Sequence, residues 1–492
     1  MEVTVSFLDE LERKIRDNKA PKLAHLIATI KPGKIPRPLL ARYAGLIRRM
    51  GGIKYATKLL NPIIRNTAKR PQTSELIEYA SCLTRLNLTK ESLDILEKIR
   101  EEKIPEIHYE FAAAYVSNWN YQKAIPYFES YLKFADLSPY KRVVGELNLG
   151  ASYIYVNKFK EAKRSLEKVY AVATKEGFNL LAGNSCELMG EISIIENDFK
   201  KAFEYLDKAK IFLENTSSRY KLFVDKWLLV IKMLREQGSP ESLRTFQAVR
   251  KSAAEFSQWN TVQELEMFKA IACNDSEKVH YCYYGTSYPE LRKRVACLWG
   301  KPIENLEIYD RRIGSGPAKK KDVFDVASGR DHATGAKLKT GQNLHRLMQA
   351  LSMEVYFPFS TTKLYSLVFP NLQFNPVTSP QQIYEVIKRL NLWFVENKVP
   401  LNVDRSRGGY RLRALQPYIL RLKTNNSPLT KVEEFLLRIK DAGIKSGFTI
   451  GIVEEKLRLP RRSATRLLGE AVAAGLLRRE GQTQSTRYFF SS

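Results

Sequence analysis

Histidine and cysteine are scarce in these 492 residues, five of each, and neither is clustered. Cys82, Cys186, Cys273, Cys282 and Cys297 are an odd number with no CxxC pair, so neither a disulfide framework nor a zinc site is indicated. His25, His108, His280, His332 and His345 form no HExxH or other compact ligand pattern. No run approaches the roughly 18 apolar residues that a spanning helix requires. The start MEVTVSFLDELERK is acidic rather than basic and then apolar, which argues against a secretory leader. The GSGPAKKK run lacks the Gly-x4-Gly-Lys-Ser/Thr spacing of a phosphate loop, and no Rossmann fingerprint follows a strand elsewhere. Asp322, Asp325 and Asp331 lie near Lys319 to Lys321, Arg330 and His332, but no nucleophile, base and orienting residue can be placed together. The expectation is a cytoplasmic protein without enzymatic activity, with no catalytic residues, no cofactor and no metal.

Lysine and arginine, in contrast, are abundant: 80 against 53 Asp and Glu, a net charge of +27. Residues 1–70 carry 16 basic against 5 acidic residues, residues 71–310 carry 33 against 34, and residues 311–492 carry 31 against 14. A near-neutral middle between basic ends suits a protein module joined to a polyanion-binding region, since Lys and Arg displace counterions from phosphate backbones.

The middle reads as helix pairs. Gly150, Tyr153, Ala162, Leu166 and Val169 recur as Gly190, Ser193, Ala202, Leu206 and Ala209, with earlier sets at Ala112, Tyr115, Ala124, Phe128, Tyr131 and at Ala80, Leu83, Ser92, Leu96. Small residues let helices cross closely, and each pair must stack on the next to bury its second face. These positions resemble tetratricopeptide repeats, four copies between about 72 and 215, with markers Ser92, Ala124, Ala162 and Ala202. The resemblance implies a surface for a peptide or protein ligand. Most of the aromatic residues Tyr109, Phe111, Tyr115, Trp119, Tyr121, Tyr127, Phe128 and Tyr131 are expected to pack between helices. In the amino-terminal region, Arg48, Arg49, Lys54, Lys58, Arg65, Lys69 and Arg70 form either a phosphate-contacting patch or a solvated helical face.

After residue 310 two helix–helix–helix–hairpin patterns follow. In the first, SPQQIYEVIKRLNLWFVENK precedes PLNVDRSRGGYRLRAL, and Gly408-Gly409-Tyr410-Arg411-Leu412 resembles the wing strand of winged helix-turn-helix response-regulator output domains. In the second, PRRSATRLLGEAVAAGLL precedes LLRREG and TRYFF, resembling a compact winged helix of the repressor type. The resemblance implies a recognition helix in the major groove and a wing at the backbone. Candidate DNA contacts are then Ser379, Gln381, Gln382, Glu385, Lys388, Arg389, Arg405 and Arg407 in the first pattern. In the second they are Arg461, Arg462, Ser463, Thr465, Arg466, Arg478, Arg479, Gln484 and Arg487.

The expected fold is mainly α, a tetratricopeptide-like solenoid followed by two winged-helix domains with short β-hairpins. Its parts are a basic helical region (1–70), repeats (71–215), irregular repeats or a cap (216–310), a basic hairpin or linker (311–341), the first winged domain (342–413), a linker (414–430) and the second winged domain (431–492). The function these features imply is a duplex-DNA-binding transcriptional regulator of bacterial type, with the repeats as sensor or partner-binding region and a homodimer compatible with a symmetric DNA site. The alternative is a repeat-containing assembly adaptor that uses its winged folds for docking.

Overall fold

The computed structural model describes residues 2–16, 22–66, 70–214, 218–406, 408–424, 431–444, 446–481 and 486–490. The chain forms two compact units. The first comprises residues 1–303, 355–366 and 371–381, and the second comprises residues 304–354, 367–370 and 382–492.

Helices build the first unit. α1 (Val5–Arg16), α2 (Leu23–Thr29), α3 (Arg37–Arg49) and α4 (Ile53–Ile64) lead into the pairs α5 (Thr73–Arg85) with α6 (Thr89–Leu96), α7 (Pro105–Ser117) with α8 (Tyr121–Leu132), α9 (Pro139–Tyr155) with α10 (Phe159–Lys175), and α11 (Asn179–Ile195) with α12 (Phe199–Leu213). The pairing continues through α13 (Ser218–Arg235) with α14 (Pro240–Glu255) and α15 (Trp259–Ala272) with α16 (Ser276–Tyr284), ending at α17 (Pro289–Trp299).

Each turn inside the first four pairs is made the same way. Asn87, Trp119, Asn157 and Asn197 adopt φ near +60° (61°, 58°, 60° and 63°), the left-handed conformation that ends a helix. The next residue's N–H then returns to a carbonyl five residues back: Leu88 to Leu83, Asn120 to Tyr115, Lys158 to Tyr153 and Asp198 to Ser193, at 2.8–2.9 Å. Asparagine tolerates this backbone well, whereas Trp119 holds it because its ring is buried beside Tyr121 and Leu291. These turns lie 32, 38 and 40 residues apart, matching the spacing of the small-residue markers.

The repeated glycines act as read from the sequence. A Cβ on Gly150 would stand 3.0 Å from Leu166, and one on Gly190 would stand 3.0 Å from Leu206, so the missing side chain sets how closely the two helices of a pair approach. Leu166, Leu206, Ala162 and Ala202 are fully buried. First helices also touch one another along the stack, α9 with α11, α11 with α13, α13 with α15 and α15 with α17, forming one inner layer.

In the second unit, β1 (Ile308–Ile313), β2 (Val323–Asp325) and β3 (Arg330–Asp331) join β6 (Tyr418–Lys423) in a four-stranded sheet of order β1-β6-β2-β3. β6 runs antiparallel to β1 and parallel to β2. It lies inside the stretch 414–430 read above as a linker. Its alternating burial, with Tyr418, Leu420 and Leu422 turned inward, shows why the strand forms. Tyr418 donates its hydroxyl to the buried Asp331 carboxylate, which also accepts from the Thr334 N–H at 2.7 Å. His345 is buried as well: its Nδ1 accepts from the Gly341 N–H at 3.1 Å, leaving Nε2 to face the carbonyls of Val326 and Ala327.

Three helices and a hairpin follow: α18 (Asn343–Ser352), α19 (Thr361–Val368), α20 (Ser379–Glu396), β4 (Leu401–Ser406) and β5 (Gly409–Ala414). The Asn391 side chain clamps the hairpin to α20, accepting from the Val403 N–H at 2.7 Å and donating to its carbonyl at 3.1 Å. A second set, α21 (Lys431–Asp441), α22 (Ile450–Leu457), α23 (Arg461–Ala473), β7 (Leu477–Glu480) and β8 (Arg487–Phe490), closes over Phe435, Ile439, Phe448, Val453, Ala464, Leu468 and Tyr488. The architecture is therefore mainly α, a tetratricopeptide-like solenoid followed by a region of short hairpins. None of the described helices is long and apolar enough to cross a membrane.

Leu206 is the knob under Gly190. Leu206→Ala is expected to lower unfolding free energy by about 2–5 kcal/mol, the range for emptying a core leucine site. Urea denaturation followed by circular dichroism checks it, and an unchanged midpoint would contradict the packing described.

Candidate partner-docking surfaces

The inner layer of the solenoid encloses a charged seam. Glu187 and Glu191 lie one turn apart on α11, Lys226 on α13, Glu264 on α15 and Arg294 on α17, and all five are buried. Lys226 Nζ is 2.7 Å from Glu264 and 3.8 Å from Glu187, and Trp227 donates its indole N–H to Glu187 at 2.5 Å. Arg294 pairs with Glu191 and lies over the Tyr155 ring, 4.4 Å from its centroid. Tyr155 in turn stacks on Tyr121 at 4.2 Å and donates to Glu264 at 3.3 Å.

Three carboxylates face two cations here, and burial resolves the excess. Desolvation pushes the Glu187 carboxyl up to about 7. Burial works against the Glu264 anion too, but Lys226 and Arg294 outweigh it and hold that carboxyl below its ordinary value. Lys226 is raised despite burial, because Glu264 and Glu187 favour its charge. Breaking such a network leaves an unpaired buried charge, which typically costs about 3–5 kcal/mol. The sequence reading missed all five residues. The available signal was the pair Glu187 and Glu191, four residues apart within the otherwise uncharged α11.

α17 closes this face. Leu291 packs with Trp119 and Tyr121, Tyr288 lies 6.1 Å from Trp119, and Arg294 reaches α11. The segments 355–366 and 371–381 also lie on the solenoid. The Val355 N–H donates to Gly285 at 3.1 Å, Thr362 donates to the Leu86 carbonyl, and the Phe374 N–H donates to Glu91 at 3.0 Å. The aromatic residues read as packing do pack: Phe111, Trp119, Tyr121, Phe128 and Tyr131 are buried, and Tyr127 stacks on Phe111 at 4.8 Å.

Three residues of the amino-terminal basic set are held in ion pairs, Arg48 with Glu78 at 2.5 Å, Arg49 with Glu12 at 2.9 Å, and Arg65 with Glu91, while Lys54, Lys58 and Arg70 are exposed. Lys69 lies outside the described residues.

The residues predicted to contact DNA do not form one uncompensated surface. Ser379 is buried at the start of α20, its hydroxyl accepting from the Asn375 N–H at 2.9 Å. Gln381, Gln382, Glu385, Lys388 and Arg389 are exposed on α20, and Arg405 is exposed on β4. Interleaved with them on the same helix are Tyr384, Leu392 and Val395, exposed by 53%, 55% and 75%. In the second set, Arg462 is exposed and Ser463 half-buried, while Thr465 donates to its own helix at the Arg461 carbonyl. Arg461 pairs with Glu454 at 3.4 Å, Arg466 with Glu470 at 2.6 Å and Arg478 with Glu480 at 2.9 Å. Arg487 donates to the Gly447 carbonyl at 3.3 Å, and Arg479 is exposed on β7. Arg407 and Gln484 lie outside the described residues.

No protein-family model and no curated protein matches the chain. Among solved structures it is similar to the apo form of RapI, with 12% identity over 54% of this chain and 99% of that one at a TM-score of 0.41. It is also similar to a Rap protein complexed with competence and sporulation factor, with 16% identity over 61% of this chain and 90% of that one at a TM-score of 0.42. The reading as a bacterial-type transcriptional regulator with duplex DNA as partner, and the DNA-binding role it implies, are corrected: the similar solved structures are Rap proteins, one of them complexed with competence and sporulation factor. The internal pairing of three of the second-set arginines, Arg461, Arg466 and Arg478, is the physical counterpart, since charge balanced within the fold has less counterion release to offer a phosphate backbone.

Glu187 makes stability depend on pH. Between the ordinary carboxyl value of 4.5 and about 7, the folded chain keeps a proton that the unfolded chain has released, so stability falls as pH rises through that window. The groups facing Glu187 are Lys226, Trp227, Glu191 and Glu264. Glu187→Gln still accepts from Trp227 and is expected to gain on the parent between pH 5 and pH 8, by about 3 kcal/mol at most. Thermal unfolding at the two pH values checks this, and a constant gap would contradict it.

Proposed function

We propose that this protein is a repeat-containing adaptor that docks peptide or protein partners and performs no bond chemistry. The helix–hairpin sets are, in this reading, winged helices used for docking. One observation supports it above the others: α20 presents Tyr384, Leu392 and Val395 to solvent beside Lys388 and Arg389. Exposed apolar side chains on a helix of a folded unit mark protein contact surfaces, and aromatic and apolar anchors supply most of the energy at such contacts. The exposed cations beside these anchors, Lys388 and Arg389, select the partner's chemistry, an acidic segment with apolar anchors. The tetratricopeptide-like solenoid supplies a rigid support and a second surface for a peptide.

Parallel selections with the full-length chain, one from a random peptide library and one from random duplexes, test this reading. Enriched peptides with acidic and apolar residues are expected, and Leu392→Asp with Val395→Asp should weaken them at least 10-fold while helical content is kept. Enrichment of a duplex sequence without any peptide would overturn it.

A further inference from the structure

The second unit holds a second feature, apart from the exposed apolar residues of α20. A space of about 610 Å³ is lined by Lys337, Lys339, Arg438, Lys456 and Arg458 together with Thr340 and Gln342. A neighbouring space of about 540 Å³ shares Lys337, Lys339 and Gln342 and adds Arg389 and Trp393. Among the described residues lining either space, every charged side chain is a cation.

These cations come from separate parts of the chain. Lys337 and Lys339 follow β3, Arg438 is on α21, Lys456 on α22, and Arg458 ends α22 in the left-handed conformation at φ 50°. Cations gathered around one concavity repel each other and focus a positive potential into it, a cost that a multivalent anion relieves. Arginine offers a planar fork matched to phosphate oxygens, and lysine adds point charge. Trp393, half-buried and edge-on to Phe324 at 6.4 Å, places an aromatic side chain beside Arg389 at the far end.

We infer that this cleft binds a small ligand carrying two or more phosphate groups, held by Lys337, Lys339, Arg438, Lys456 and Arg458. The ligand's phosphates bridge the first two lysines and the α21–α22 cations. The inference stands independently of the adaptor reading, because none of the five cations belongs to the exposed face of α20.

Isothermal titration of the full-length chain with inorganic triphosphate at physiological salt tests it. Saturable one-to-one binding is expected. Lys456→Gln with Arg458→Gln, both on exposed side chains, should weaken it at least 10-fold, while Lys319→Gln with Lys320→Gln in the exposed basic run before β2 should leave it within about 2-fold. A nucleoside triphosphate provides the second arm: tighter binding than inorganic triphosphate assigns the site to nucleotides, and equal binding assigns it to the phosphates alone. No saturable binding, or equal weakening by both double variants, would overturn the inference, since the second result is that of diffuse surface charge.

Discussion

The buried ion network on the inner layer is the constraint on which the rest of the first unit depends. Lys226 between Glu187 and Glu264, and Arg294 against Glu191, join α11, α13, α15 and α17 through groups that have lost their water. An apolar seam tolerates sliding, but these pairs require each helix at one register, because a displaced partner strands a charge in a low-dielectric interior. The raised Glu187 carboxyl is the consequence first of burial and then of the neighbouring carboxylates Glu191 and Glu264, which Lys226 only partly offsets. Trp119, Tyr121 and Leu291 then cover the face, so α17 is seated by both charge and packing.

The solenoid was legible because its construction is repetitive. Gly150 over Leu166 and Gly190 over Leu206 are a local signal that recurs, and so are the left-handed Asn157 and Asn197. Short strands were less legible. β6 has an alternating pattern, but its partners β1 and β2 lie about a hundred residues earlier, and pairing at that distance leaves no trace in a local window. The seam was hard to see for a related reason, since its members lie on four helices and only Glu187 and Glu191 share one.

The basic carboxy-terminal part shows where charge counting goes astray. Arg461, Arg466 and Arg478 contribute to a large positive sum, yet each has a carboxylate partner within a few residues or in the same small fold. The side chains that distinguish this region are instead the exposed Tyr384, Leu392 and Val395 on α20 and the cations gathered around the cleft beside α18 and α22. Net charge is additive along the chain, whereas binding depends on where folding gathers the charges.

Amide hydrogen exchange of the full-length chain, alone and with a library-selected peptide, tests the central claim of partner docking most directly. The account predicts added protection on α20, with α11, α13, α15 and α17 exchanging as one slow unit in both states. Protection of α23 and β7–β8 by duplex DNA, with no change anywhere on adding peptide, would contradict it.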